Sequence, residues 1–243
     1  MSLNTVRKEY ERLVRNNPDL GKKHFSIAKM RWAATSYDFD TDDEREGKDP
    51  FTLEEVEQIL DGEFFANRKV EDHINVRNYK EMIAYLYTTV TVKDKADLEL
   101  IHAIHRILKD GKVVPYRQRV PIVKEFAFVP THYQSIDEEL DDVLKAYLLM
   151  YDKWGPVRRG CFLHNEFIKI YPYDEFTTGI ARALLNFELI VAGYLPLAFD
   201  MDIAEYRKCV SDHIKMNHPQ PFYDLITRSL EEMYRDYLDY SAK

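Results

Sequence analysis

The stretch from Cys161 to Phe199, CFLHNEFIKIYPYDEFTTGIARALLNFELIVAGYLPLAF, decides the fold. It predicts two helices joined by a polar loop at Tyr171–Thr178, and the second helix ends at Gly193. Apolar residues surround both helices, as burial on several sides requires: Phe162, Phe167, Ile168, Ile170, Ile180, Leu184, Leu185, Phe187, Leu189, Ile190 and Val191. Thr177 or Thr178 is expected to cap the second helix by accepting hydrogen bonds from its free backbone N–H groups. A helix N-terminus that emerges from a core is a natural anion site.

Helical patterns also cover most of the remaining chain. They predict helices at about residues 3–14, 22–39, 70–90, 98–109, 136–153, 203–217 and 221–240, and one beginning after Thr52. Thr52 and Glu55 have the spacing of a capping box, and Gly111 is expected to close a helix in the left-handed conformation. Residues 113–130 are instead rich in β-branched and aromatic residues and contain three prolines. This composition predicts one short, exposed β-hairpin in an otherwise all-α fold.

Composition limits the classes of function. A chain of 243 residues with 45% hydrophobic content can form one sizeable core, and we expect a single domain. The net charge of −8 argues against a general nucleic-acid binder. Nucleic acid is therefore not an expected partner. No apolar run reaches the roughly 20 residues that a membrane helix needs, so a membrane is not an expected partner either, and a cytoplasmic location is expected. Cys161 and Cys209 fall on predicted buried helices, which favours reduced thiols.

The central loop resembles the active-site motif of a known family. The matching residues are Tyr171, Pro172, Tyr173, Asp174, Glu175, Phe176, Thr177, Thr178, Gly179, Ile180, Ala181 and Arg182, followed by Asn186 and Gly193-Tyr194-Leu195-Pro196. This order resembles the signature H-P-F-x-(D or E)-G-N-G-R-x-x-R of the Fic (Fido) family, whose members mostly transfer AMP from ATP to a hydroxyl group of a protein. Three outer segments also resemble the family: Thr52–Val56 with Asn78-Tyr79, Ile101–Leu108, and the start of its flap hairpin at Tyr116, Arg117 and Val120.

The resemblance implies an all-α, Fic-type helical bundle around a central helix–loop–helix, with the flap as its one small β-hairpin. One such domain would occupy residues 1–243, with N-terminal helices at 1–60, a Fic core at 61–200 and C-terminal helices at 201–243. In working members of the family the flap pins the target's main chain beside the catalytic loop by strand pairing.

The chemistry of the motif is largely replaced. Tyr171 stands at the position of the catalytic His, and its ordinary pKa near 10 makes it a poor general base at neutral pH. A working general base such as the motif His increases the rate about 10²- to 10⁴-fold. Phe176 and Thr178 stand where glycines let backbone N–H groups approach a phosphate. Thr177 stands at the motif Asn and Gly179 at the first motif Arg.

The resemblance still assigns roles to several polar residues. Glu175 matches the acid that binds magnesium and is a weak metal candidate, because a lone carboxylate holds this ion poorly. Arg182 matches the second Arg, which meets the outer phosphates, and the nucleotide-binding positions together are Glu175, Thr177, Thr178, Arg182 and Asn186. The family's inhibitory motif, (S or T)-x-x-x-E-(G or N), is matched incompletely by Ser36 with Asp40, which we favour, or by a segment ending at Glu46.

Three histidines have both a structural and a functional interpretation. His102 and His105 share one helix face and could bind a metal with a third ligand, although core or interface positions are favoured. His164 could replace the missing base only if its helix turned it toward the loop.

The sequence therefore predicts a Fic-like protein with a degenerate motif that lacks AMP transfer and binds another protein as a pseudoenzyme. No cofactor is expected under this interpretation. The alternative is a divergent transferase that moves AMP or another phosphate-containing group to a protein hydroxyl, with Mg²⁺ and ATP as cofactors and Tyr171 or His164 as base. A third interpretation is the inactive subunit of an oligomer with an active partner, since the sequence leaves the oligomeric state open.

Overall fold

The computed structural model describes residues 2–41, 51–91 and 94–241, apart from the side chains of residues 36–41. Ten α-helices lie within these ranges: α1 (Leu3–Asn16), α2 (Pro18–Thr41), α3 (Leu53–Leu60), α4 (Val70–Thr89), α5 (Leu98–Leu108), α6 (Ile136–Met150), α7 (Pro156–Ile170), α8 (Thr177–Val191), α9 (Ile203–Met216) and α10 (Gln220–Ser241). Each helix predicted from periodicity is present, so the expected all-α fold is confirmed. No helix in the described ranges has the length and apolar content needed to cross a bilayer.

The helix pair α7–α8 forms the centre of the molecule. Every residue from Thr177 to Ile190 of α8 is buried. Helices α2, α4 and α5 pack on α8, whereas α6, α9 and α10 pack on α7. Gly160 permits the close approach of the pair, because a Cβ atom there would lie 3.0 Å from the carbonyl oxygen of Leu185. The pair therefore positions the connecting loop on a rigid base.

Local capping interactions set several helix boundaries. Thr52 Oγ1 accepts from Glu55 N while Glu55 Oε2 accepts from Thr52 N, which confirms the predicted capping box. Gly111 has a φ of 78° after α5, and Gly193 has a φ of 74° after α8. Both are conformations that a glycine adopts at low cost. The capping bonds and φ angles at these boundaries involve residues that are close in the sequence.

The predicted β-hairpin is not shown. Among the described residues of 113–130, one isolated antiparallel bridge joins Val123 and Phe128 around a short 3₁₀ helix at Lys124–Phe126. Pro115 and Pro121 have no N–H with which to extend a ladder. The backbone is instead tied to the central loop, because Arg117 N donates to Pro172 O at 3.0 Å.

A buried polar network joins the start of α7 to the end of α8. Arg159 Nε of α7 lies 2.6 Å from Glu188 Oε2 of α8, and the hydroxyl of Tyr147 donates to the same carboxylate. Tyr147 Oη also accepts from Ala96 N at 3.2 Å. Burial raises the pKa of Glu188, although the bonds from Tyr147 and Arg159 oppose this effect. The network joins α6, α7 and α8 at a point that the sequence did not reveal.

Candidate functional site

The loop between α7 and α8 has two non-glycine residues in the left-handed conformation. Tyr171 has a φ of 53° and ends α7, its N–H donating to Phe167 O at 2.9 Å. Phe176 has a φ of 63° and immediately precedes α8. Bulky residues adopt this conformation rarely. The backbone at Phe176 thus has the shape that favours glycine, while the side chain fills the space that a glycine would leave open.

The predicted cap of α8 by Thr177 or Thr178 is wrong. Phe176 is the N-cap residue, and no side-chain hydrogen bond caps the helix. Thr177 is already the first helical residue, so its hydroxyl faces back into the loop, where it accepts from Tyr173 N at 3.1 Å and donates to Tyr173 O at 2.9 Å. Thr178 is also buried. The hydroxyl of Thr177 therefore fixes the loop.

Aromatic stacking holds the loop from the α5 side. The buried ring of Tyr173 stacks on His105, with ring centroids 3.6 Å apart and planes at 23°. Burial lowers the pKa of His105 to about 4, and the charge of Lys109 acts in the same direction, while Glu175 opposes both. His102 Nε2 lies 2.8 Å from the hydroxyl of Tyr116. Both histidines thus have aromatic partners, and no cluster of three or more potential metal ligands occurs in the described part of the chain.

Arg117 lies inside the molecule, although the resemblance places it at the start of the flap. The residue is 2% exposed, and its guanidinium donates to the carbonyl oxygens of Tyr171 at 2.7 Å, Ile170 at 3.1 Å and Arg119 at 2.6 Å, and to that of Thr131. A cation is favourable at the C-terminal end of a helix such as α7. Arg117 therefore anchors the segment to the loop. The other two predicted flap residues are half-buried Tyr116 and exposed Val120.

The acids of the loop are paired with cations from neighbouring segments. Glu175, whose side chain is 65% exposed, lies 2.8 Å from Lys109 Nζ at the end of α5. Asp174 lies 3.5 Å from Arg119 Nε. The ammonium of Lys109 is also 5.8 Å from the centroid of the Phe176 ring. The predicted magnesium-binding carboxylate is thus at the surface and partly neutralised.

The polar residues predicted on α8 lie beneath the loop. Arg182 is 1% exposed, with Cζ 5.7 Å from the centroid of the Phe199 ring. Asn186 is fully buried: Nδ2 donates to Leu197 O at 3.0 Å and Oδ1 accepts from Leu197 N at 2.8 Å. Asn186 therefore holds the segment that follows α8.

His164 is held inside the core. Its Nδ1 lies 2.8 Å from Asn165 Oδ1, and its Nε2 lies 2.9 Å from the hydroxyl of Tyr206. Its ring stacks on Phe222 at 4.5 Å. Burial lowers the pKa of His164 to about 3, despite the opposing bond from Asn165. These contacts are with the neighbouring Asn165 of α7 and with α9 and α10 rather than with Tyr171, so the condition for a replacement base is not met.

Of the two inhibitory-motif candidates, the structure describes only the first, and of that one only the backbone. Ser36 and Asp40 belong to the backbone of α2, which packs on α8. Glu46 lies outside the described residues.

An aromatic row, which the sequence did not reveal, runs from the loop to Arg182. Its consecutive ring contacts are Tyr171–Phe128 at 6.5 Å, Phe128–Phe126 at 6.5 Å, Phe126–Tyr206 at 6.2 Å and Tyr206–Phe199 at 6.2 Å. Phe126 is the last residue of the 3₁₀ helix in the predicted flap and Phe128 follows two residues later, and the carbonyl of Phe126 accepts from Ser211 Oγ at 3.1 Å. The alternation of Phe126, Ala127 and Phe128 is visible in the sequence, but this pattern indicates a β-strand as readily as it indicates aromatic side chains that pack against the loop.

Solved structures share this architecture. A Fic domain containing signaling protein from Bacteroides thetaiotaomicron VPI-5482 is 17% identical, with a TM-score of 0.82 over 98% of this chain and 96% of that chain. A Fic family protein from Desulfovibrio desulfuricans G20 is 16% identical, with a TM-score of 0.77 over 99% and 75%. The chain has the Fic fold. Fic-1 from C. elegans is 17% identical, with a TM-score of 0.75 over 98% and 70%.

The match confirms the all-α, Fic-type fold that the resemblance implied, without the predicted β-hairpin. No protein-family model matches the sequence, and no curated protein matches it significantly. At such low identity the Fic fold carries no statement about activity, because one fold can support many functions.

Proposed function

We propose that this protein has the Fic fold without its AMP transfer, and that it acts by binding a partner protein. The observation that carries the proposal is the replaced motif at Tyr171–Arg182, which spans the loop and the start of α8. A tyrosine stands at the position of the motif histidine, and Phe176 occupies the left-handed position where a phosphate would need a glycine. The aromatic row contacts this loop through the rings of Phe128 and Tyr171.

The polar residues assigned to the nucleotide already have internal partners. The Thr177 hydroxyl binds the backbone of Tyr173, and the Asn186 amide binds the backbone of Leu197. Glu175 is paired with Lys109. A nucleotide with magnesium would have to break several of these contacts, and one carboxylate is a weak magnesium site. These contacts support a structural role for the former motif.

Thermal unfolding with nucleotides tests the loss of nucleotide chemistry. The protein is mixed with ATP, GTP, CTP, UTP or CDP-choline, each with and without magnesium. A ligand at about 100 times its Kd adds about 2.7 kcal/mol, which raises the midpoint of a chain of this size by several degrees. We expect no rise. A magnesium-dependent rise that Glu175→Ala abolishes overturns the proposal. Glu175 is exposed, so Glu175→Ala tests the site without disturbing the core. Arg182→Ala, in contrast, would disturb the core.

A divergent transferase is the second candidate. One observation favours it: Phe176, the N-cap residue of α8, makes no side-chain hydrogen bond to the start of the helix, and a helix N-terminus favours an anion. Transfer of a labelled phosphate-containing group from a nucleotide to protein hydroxyls would be measured. The alternative fails if Glu175→Ala and Arg182→Ala leave the measured transfer unchanged.

A further inference from the structure

A groove of about 870 Å³ lies between α5 and residues 112–116. Its lining includes Tyr85, Arg106, Lys112, Val114 and Tyr116. The bond between His102 and Tyr116 joins the two sides, because the first residue belongs to α5 and the second to the facing segment. The groove is thus largely pre-formed, which lowers the cost of ordering its walls on binding.

The charge of the groove is opposite to that of the whole protein. Arg106 and Lys112 form no ion pair with another described residue, whereas nearby Lys109 and Arg119 are paired with the loop acids Glu175 and Asp174. Glu99 is the only acid in the lining. The protein as a whole has a net charge of −8. Two cations without acidic partners therefore favour a negatively charged occupant.

The edge of the groove is unusually apolar for a surface. Val113 is 85% exposed, and Val114 beside it is also exposed. Five of the thirteen large apolar side chains exposed in the described residues lie within residues 113–129: Val113 and Val114, which line the groove, and Val120, Ile122 and Val129, which lie outside its lining. Such concentrations on a surface mark protein interaction sites.

We infer that this groove docks an acidic, extended segment of the partner protein, with carboxylates at Arg106 and Lys112 and apolar side chains against Val113, Val114 and Tyr116. The inference rests on the proposed partner-binding function and adds the place and the chemistry of the contact. It relies on side chains of α5 and of residues 112–116.

Labelled peptides test this inference directly. The probe is a short fluorescein-labelled peptide in which Glu alternates with Leu, and its companions carry Gln or Lys in place of Glu. Fluorescence anisotropy should show binding of the Glu peptide, weaker binding of the Gln peptide and none of the Lys peptide. Arg106→Glu combined with Lys112→Glu should raise the Kd of the Glu peptide about tenfold or more.

A matched variant separates local contact from general attraction. Lys8→Glu combined with Arg12→Glu changes the net charge equally on the exposed side of α1. We expect it to change the Kd little, because a distant charge acts only through screened long-range attraction. Equal binding of the Glu and Gln peptides, or equal losses in the two variants, would overturn the inference.

Size measurement excludes a different occupant. If the protein is a dimer that the Arg106 and Lys112 reversal dissociates, a second copy occupies the groove and the inference is wrong. Failure of this inference can be distinguished from failure of the proposed function, because the nucleotide experiment depends on Glu175 and not on Arg106 or Lys112.

Discussion

The two ends of α8 each carry an ion pair, and the pairs differ in their surroundings rather than in their distances. Before the helix begins, Glu175 lies 2.8 Å from Lys109, with the carboxylate mostly in solvent. In its last turn, Glu188 lies 2.6 Å from Arg159, and the carboxylate is completely buried. Water screens the first pair. Removing one partner of the second leaves a charge in the core. The exposed pair before the helix should therefore tolerate substitution, whereas the buried pair in its last turn is needed for the stability of the fold.

Breaking the buried pair should have the largest effect. Arg159→Ala leaves Glu188 buried without its cation, which costs about 3–5 kcal/mol of unfolding free energy. Lys109→Ala, which breaks the exposed pair, should cost at most about 1 kcal/mol. Urea unfolding at neutral pH measures both. Equal losses would show that the burial of the two pairs does not determine their contributions.

The packing of α7 on α8 should be the next most sensitive feature. Gly160→Ala places a Cβ atom against the backbone of Leu185 and should cost about 1–3 kcal/mol by overpacking. Gly155→Ala is the control, because a Cβ atom there meets nothing within 4 Å. The two variants would be compared by urea unfolding. A tolerated Gly160→Ala would mean that the helices can separate at little cost.

The stability of the loop end should depend on pH through His105. Burial lowers its folded pKa to about 4 from 6.5, so the unfolded chain binds a proton that the folded protein does not. Stability should therefore fall as the pH drops from about 6.5 to 4, by up to about 1.4 kcal/mol per pH unit from this residue. His164 acts in the same direction down to about pH 3.

His105→Phe keeps a ring against Tyr173 but removes the titration, so unfolding measured at stepped pH should show a shallower slope. His218→Phe, at an exposed histidine, should leave the slope as in the parent protein. An unchanged slope in His105→Phe would contradict the assigned origin of the pH dependence.

Loss of the loop hydroxyl should destabilise the protein no more than overpacking of the helix pair. Thr177→Val removes its two bonds to Tyr173 and should cost about 1–3 kcal/mol if the buried backbone groups of Tyr173 stay unpaired, and less if the loop relaxes to expose them. Thr88→Val removes an exposed hydroxyl from a helix and serves as the control. Thermal unfolding compares the variants. A loss no greater than that of the control would mean that the loop shape does not depend on this hydroxyl.

Part of the site could be predicted from the sequence and part could not. The position of the loop followed from the two apolar helical runs around it, and Glu175 lies in the predicted loop, two residues before the second helix. The internal role of Arg117 could not be predicted, because its acceptors Ile170 and Tyr171 are more than fifty residues away in the chain. Phe126 and Phe128 likewise pack on partners that only the folded chain brings near.

By itself, the sequence determined the helices, their order and several of their ends. These features depend on backbone preferences and on side chains within about one turn of each other, such as Thr52 with Glu55. Only the tertiary structure decided which polar residues are buried and what they bind, as with Glu188 on Arg159 and Asn186 on Leu197. A polar residue has the same identity in either environment, and the packing of distant segments determines whether it meets water or a partner.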